Sequence, residues 1–252
     1  MTPPRAVVVL HGFLGSRRNV ATLAHRIGEQ VPSLRVVALD LAGHGHGRPL
    51  PGGADLATLV RVALEDARAL GLPEPLAVIG HSLGGRVALR ACQIAPAAIA
   101  HATLLDIGPS PIKDDAASAR VLDALLAAPE AAPGREAFRA HFRGAGLPDD
   151  VTEWLLLNLA REDGVYRWAV DRAALAVLRE RTGAEDLWPV VEGPRACSLS
   201  CVRGELSEYV SDGDARRLIA AGCPVETVWG AGHFLHIERP AEVVEQIVRS
   251  LR

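Results

Sequence analysis

Leu76-Ala77-Val78-Ile79-Gly80-His81-Ser82-Leu83-Gly84-Gly85-Arg86-Val87-Ala88 is the stretch that decides the fold. A short apolar run of the kind that forms a buried strand meets Gly-His-Ser-Leu-Gly, and a helix-forming run then continues to just before Pro96. Strand, sharp turn and helix around G-x-S-x-G make a nucleophile elbow. The spacing follows from the chemistry. Ser82 must occupy a strained turn for its hydroxyl to project above the sheet, and Gly80 and Gly84 stand where a Cβ would meet neighbouring backbone. The N-terminus of the following helix turns free N–H groups toward an anion.

Upstream, residues 5–11 (RAVVVLH) are apolar without alternation, the pattern of a parallel strand buried on both faces. They lead into His11-Gly12-Phe13-Leu14-Gly15-Ser16 and an amphipathic helix through Leu23 and Ile27. Residues 36–41 (VVALDL) are predicted as the next strand, closed by a glycine-laden turn at 42–47. The clearest helix spans 55–70, with Leu56, Leu59, Val60, Ala63, Leu64, Ala67 and Leu70 on one face. Downstream of the elbow, residues 102–107 (ATLLDI) form a fourth strand stopped by Gly108-Pro109.

Between about Ser110 and Pro194 the strand–helix alternation breaks, and the sequence predicts several helices punctuated by Pro129, Pro133 and Pro148. This third of the chain holds six of its ten aromatic residues, so it has the means to pack against the rest. Alternation resumes with a strand at 197–204, a helix from about Asp212, a strand at 225–229 and a last helix carrying Val243, Val244, Ile247, Val248 and Leu251. The expectation is an α/β fold: a parallel sheet covered on both faces, with ligands beyond the C-terminal ends of its strands. Residues 1–110 and 190–252 make the core, and 111–189 a helical cap inserted in it, with no flexible linker between them.

At 252 residues the chain can bury a substantial core; 49% of it is apolar. Lys and Arg (27) nearly balance Asp and Glu (30), and no basic block tracks a phosphate backbone, which argues against nucleic acid as a partner. The apolar run after Met1-Thr2-Pro3-Pro4-Arg5 is too short for a signal peptide or a membrane span. Cys92, Cys197, Cys201 and Cys223 lack metal spacing, and Cys197 and Cys201 on one strand lie about 13 Å apart, beyond a disulfide. Buried free thiols in a reducing cytoplasm are expected.

A serine hydroxyl needs a base. Of nine histidines, His233 in Gly230-Ala231-Gly232-His233-Phe234 lies on a flexible turn past the last strand, where an imidazole reaches a serine at the same sheet edge. His236 falls in the following helical turn, and His81 inside the elbow lines the pocket. His44 and His46 read as loop residues, and His11 as a residue that packs and hydrogen-bonds at its strand end. For the acid that orients the base, Asp106 and Glu205 both lie at strand ends between Ser82 and His233. An oxyanion hole of two backbone N–H groups is expected from Phe13 and Leu83.

With these residues in place, the chain resembles the α/β-hydrolase superfamily over essentially its whole length. The likeness rests on His-Gly-Phe-Leu-Gly-Ser at 11–16, Asp40-Leu-Ala-Gly-His-Gly, Gly-His-Ser-Leu-Gly-Gly at 80–85 and Gly-Ala-Gly-His at 230–233. In most members the acid stands three residues after the glycine that ends the strand before the last, and here that position is Ser207. Asp106-Ile107-Gly108-Pro109 and the cap stretch from Trp154 to Trp168 (WLLLNLAREDGVYRW) resemble a smaller bacterial esterase branch. There the acid follows the strand after the elbow and a serine assists it. The resemblance thus implies Asp106 as acid ahead of Glu205, with Ser207 in a supporting hydrogen bond to His233. Two N-terminal strands usual in the superfamily have no counterpart, so about six strands are expected. The strand at 36–41 then lies at an edge that calls for covering or for self-association as a homodimer.

The reading is of a cytoplasmic serine esterase or thioesterase with a Ser82-His233-Asp106 triad and an acyl-enzyme, needing no metal or organic cofactor. Its partner is a small acyl ester or thioester, and His81, Trp154 and Trp168 are candidate pocket residues for an uncharged acyl group. Two rivals remain open at this level: carbon–carbon cleavage or elimination on the same triad, and a ligand-binding protein that kept the pocket and lost catalysis.

Overall fold

The computed structural model describes residues 3–112 and 116–251. Six strands form one sheet: β1 (Ala6–Leu10), β2 (Arg35–Leu39), β3 (Leu76–His81), β4 (Ile99–Leu105), and the last two after the cap. Between the first four run α1 (Ala21–Gln30), α2 (Leu56–Ala69) and α3 (Leu83–Ile94). The cap comprises α4 (Ala116–Ala127), β5 (Ala131–Ala132), α5 (Arg135–Gly144), α6 (Asp149–Leu156), β6 (Leu159–Glu162), β7 (Val165–Trp168), α7 (Arg172–Ala184) and α8 (Trp188–Glu192). The core closes with β8 (Ser198–Gly204), α9 (Asp212–Ala220), β9 (Val225–Val228), α10 (Leu235–Glu238) and α11 (Pro240–Ser250).

The sheet order is β2-β1-β3-β4-β8-β9, every pair parallel, as the sequence implied. Both faces are covered, which is why the strands are apolar without alternation. Ala6, Val8 and Leu10 of β1 join the cluster built with α2 and α3, while Val7 and Val9 face the cluster built with α1 and α11. Asp55 starts α2 by accepting the Thr58 N–H, a cap of about 1 kcal/mol. The strand at 35–39 is an edge, with Arg35 exposed and Val36, Val37 and Ala38 half-buried where every residue of β1 is buried.

From β1 the chain runs outward to β2 and then returns across β1 to β3, so the sheet has its switch point between β1 and β3. A crevice opens at such a point beyond the strands' C-terminal ends. The register decides what lines it. Leu10 pairs with Gly80, His81 with Leu105, Leu105 with Val202, and Gly204 with Val228. Residues 11–13, Ser82, Asp106 and the loops after β8 and β9 therefore emerge along one rim.

The cap differs from the expectation of helices alone. It also holds a three-stranded antiparallel sheet, order β5-β7-β6. Its hairpin turns at Asp163-Gly164, both at positive φ (47° and 84°), the Asp-Gly turn whose twist suits an antiparallel pair. The four-residue strands flanking it are too short and too charged (Leu-Ala-Arg-Glu) to show a periodic pattern. Among the described residues no helix is long and apolar enough to cross a membrane. Cys92, Cys197, Cys201 and Cys223 are buried free thiols.

Candidate active site

Ser82 links β3 to α3 at φ 52° and ψ −116°, a strained conformation that costs about 1–3 kcal/mol and lifts the hydroxyl out of the sheet. The turn is tight enough that a Cβ on Gly80 would lie 2.1 Å from the Gly84 carbonyl carbon and oxygen, so only glycine fits there. The Ser82 N–H is tied to Leu105 O at 3.1 Å. Its hydroxyl is half-buried and makes no hydrogen bond with a described group, as is common before substrate tightens such contacts.

Asp106 follows β4 directly, fully buried and at φ 50°, rather than lying inside the strand end. Its Oδ1 accepts the Gly204 N–H at 2.8 Å; its Oδ2 accepts His233 Nδ1–H at 2.7 Å and the Ser207 hydroxyl. Three donors satisfy a carboxylate that would otherwise be costly to bury. A carboxylate only accepts, so Nδ1 of His233 carries a ring proton, and Nε2 is the ring nitrogen turned away from Asp106. Ser207 bonds the carboxylate, not the imidazole, and its oxygen accepts the Tyr209 N–H at 3.3 Å.

The turn bearing His233 is anchored on three sides. Glu205 Oε2 accepts the Gly230 N–H at 2.9 Å, Glu238 Oε2 accepts the Gly232 N–H at 2.8 Å, and His81 Nε2–H donates to His233 O at 2.8 Å. Glu205, the other acid weighed from the sequence, thus braces the turn and makes no bond to the imidazole. His81 is buried against His233 rather than lining open space, with ring centroids 4.6 Å from His233 and 4.5 Å from His236. Burial, then the neighbouring His236 and His233, push its pKa well below the usual histidine range, and burial brings His236 to about 4. Both stay neutral at neutral pH.

Two side chains here escaped the sequence. Tyr209 stacks on His233 with centroids 4.0 Å apart and planes at 24°; nothing in its local pattern marks it. Arg86, fully buried on α3, donates to Thr182 O, Gly108 O, Ser110 O and Glu185 O, holding both chain segments that join core to cap. A charged residue inside an apolar helix face was its only signal. Burial lowers the Arg86 pKa to about 10, leaving it charged. Of the candidate pocket residues, Trp154 meets Phe234 at 6.3 Å, and Phe234 in turn meets the His233 ring. Trp168 instead packs in the cap interior against Phe138 (5.6 Å) and Phe142 (6.2 Å), its Nε1–H on Pro129 O.

On the other side of the elbow, a Cβ on Gly12 would lie 3.2 Å from Ser82 Cβ, which brings the turn after β1 against the serine. The N–H groups of Phe13 and Leu83 have no acceptor among the described residues. His11, fully buried, donates Nδ1–H to Gly12 O at 2.8 Å and accepts the Leu41 N–H at Nε2, 3.0 Å; burial lowers its pKa to about 4. Asp40 ties the neighbouring loops through the Arg17 and His46 N–H groups. His44 packs on His11 and Phe13 and binds Ala42 O; burial, then His11, lower its pKa to about 3. Among the described residues no cluster of His, Cys, Asp or Glu is arranged to hold a metal ion.

A six-stranded parallel sheet with an elbow serine after β3 and a buried aspartate bonded to a histidine on the same rim defines the class of α/β hydrolases. The chain belongs to the alpha/beta hydrolase family, whose profile matches residues 7–246, and it is a hydrolase enzyme. It is 29% identical over 261 residues to "Lipase LipV" of Mycobacterium tuberculosis, covering 98% of this chain and 93% of that one. It is 31% identical over 260 residues to the 2-succinyl-6-hydroxy-2,4-cyclohexadiene-1-carboxylate synthase of Citrobacter koseri, covering 98% and 93%. Among solved structures a "Marine microorganism esterase" superposes with a TM-score of 0.84 at 21% identity, over 99% of this chain and 96% of that one, a likeness of fold.

Proposed function

We propose that the protein is a serine esterase or thioesterase acting through Ser82, His233 and Asp106. The observation that carries this reading is the 2.7 Å bond from His233 Nδ1–H to the buried Asp106 carboxylate, which leaves Nε2 bare on the rim where Ser82 emerges. His233 Nε2 takes the Ser82 proton as the serine oxygen attacks the acyl carbonyl. The carbonyl oxygen becomes an oxyanion facing the Phe13 and Leu83 N–H groups. Asp106 offsets the charge of the imidazolium, which then protonates the leaving alcohol or thiol. Water, deprotonated by the same Nε2, attacks the acyl-serine, and the imidazolium returns that proton to the departing Ser82 oxygen as the acid is released. These steps require neither a metal nor an organic cofactor.

Tyr209 and Phe234 pack on the His233 ring and Trp154 on Phe234, an aromatic surface; besides Asp106, the carboxylates that hold this turn, Glu205 and Glu238, are spent on the Gly230 and Gly232 N–H groups. Such a rim suits an uncharged acyl group better than an anionic one. One observation favours a second reading: the 31% identical relative is named for a succinyl-bearing product. In that reading Ser82, deprotonated by His233, takes a C–H proton, and the electron pair of that bond forms a C=C bond as the leaving group on the adjacent carbon departs with its own bonding pair. A panel of aryl esters, acyl thioesters of graded length and a succinyl-type elimination substrate separates the two. Ester or thioester turnover that vanishes in Ser82→Ala supports the first reading; undiminished ester hydrolysis in that variant, or turnover of the elimination substrate alone, rejects it.

A further inference from the structure

The turn that follows β1 is wired to the cap by one hydrogen bond whose effect travels through two peptide planes. Asn158 lies between α6 and β6, buried, and its Nδ2 donates to Leu14 O at 2.9 Å and to Leu155 O at 3.3 Å. Two carbonyl acceptors fix which end of the amide is the nitrogen. Its backbone is held as well, through Asn158 N–H to Leu155 O at 3.1 Å and Ala169 N–H to Asn158 O at 2.8 Å.

Leu14 C=O and Gly15 N–H belong to one planar peptide unit. Gly15 N–H donates to Gly12 O at 3.0 Å, and Gly12 C=O shares its own plane with Phe13 N–H. Fixing Leu14 O therefore fixes Gly15 N–H, which fixes Gly12 C=O, which aims Phe13 N–H the opposite way. Leu14 holds φ 56°, a left-handed conformation unfavourable for a leucine, so the turn needs outside support to persist. His11 grips Gly12 O from the core side, and Asn158 is the grip from the cap side.

From this geometry we infer that Asn158 is a positioning residue for the oxyanion hole: the cap, through this amide, sets the direction of the Phe13 N–H. The inference rests on the proposed role of Phe13 as an oxyanion donor. It gives the cap a part in the chemical step besides enclosing substrate. An exact donor direction matters only once the oxyanion has formed, so ground-state binding should be spared.

The test compares wild type with Asn158→Asp, which keeps the shape and loses the donor, and Asn158→Leu. Expected in a folded variant are a kcat about 10–100-fold lower, a KM within about threefold, and affinity for an aryl trifluoromethyl ketone lowered by the same factor as kcat. The ketone adduct places its oxyanion in the hole, so a merely structural role would not move its affinity in step with kcat. A kcat within about threefold of wild type, an unmoved ketone affinity, or loss of fold in both variants would overturn the inference. Hydrogen exchange supplies a readout independent of turnover. Amides of residues 12–16 should exchange at least about tenfold faster in Asn158→Asp, with residues 80–86 unchanged; equal rates at 12–16 overturn the positional claim. A wild type that hydrolyses no ester rejects the esterase reading alone.

Discussion

Replacing Asp106 by Asn removes the proposed acid while leaving its fold-determining contacts in place. Residue 106 sits at φ 50°, a conformation asparagine adopts more readily than most residues, so the backbone can stay as it is. The acceptor of the Gly204 N–H must remain an oxygen, which turns the new NH2 toward His233 Nδ1 and the Ser207 hydroxyl. A donor facing Nδ1 forces the ring proton onto Nε2, and His233 then presents N–H where it should present a lone pair. The serine loses its base and the imidazolium its counter-charge. The cost expected for that inversion is about 10³–10⁴ in kcat, or roughly 4–5.5 kcal/mol of transition-state stabilisation. The assay is steady-state hydrolysis of a short-chain aryl ester alongside thermal unfolding. Asp106→Asn should melt within about 5 °C of wild type, and Glu205→Ala, which frees only the Gly230 N–H, should retain most activity. A folded Asp106→Asn protein with more than about a tenth of wild-type kcat would refute the reasoning.

Acid should destabilise the protein through its buried neutral histidines. Burial lowers His11, His101 and His236 to about 4 and His44 to about 3, from 6.5, so below 6.5 the unfolded chain binds more protons than the folded one. Stability is then level above that pH and falls as pH drops toward 4, by about 2 kcal/mol per histidine at pH 5. Summed, that is comparable with the whole stability of a typical domain. Urea midpoints measured from pH 8 to 5 should fall steeply below 6.5; a flat profile contradicts the assignment of these rings as neutral. Arg86→Met leaves four carbonyls without their cation and should cost roughly 3–5 kcal/mol, read from the urea midpoint, with faster proteolysis near residues 108–112 and 182–186. A shift under about 1 kcal/mol would show that the strap is dispensable.

Most of the core was legible in the chain because its signals are local. Each strand buried on both faces is a continuous apolar run, and Gly-His-Ser-Leu-Gly and Gly-Ala-Gly-His stand at strand ends where their backbone demands are read directly. The register that lines up Ser82, Asp106 and Gly204 then follows from strand order. What stayed hidden depends on contacts between distant segments. Asp163-Gly164 carried the turn signal for β6 and β7, but strands of four residues have no period to measure. Trp168 and Trp154 are alike as residues, and only the packing of α5 draws one into the cap and leaves the other beside Phe234. Glu205 and Ser207 were both weighed around the acid. Their separate tasks, bracing Gly230 and bonding Asp106, became visible only with the fold.

The central claim is that residues 82, 106 and 233 act as one chemical unit, and covalent labelling by a fluorophosphonate with peptide mapping tests it most directly. The account predicts a single adduct on Ser82 in the wild type, none in Ser82→Ala, and labelling slowed at least about a hundredfold in His233→Ala. An unlabelled wild type, or a rate indifferent to the loss of His233, would contradict it.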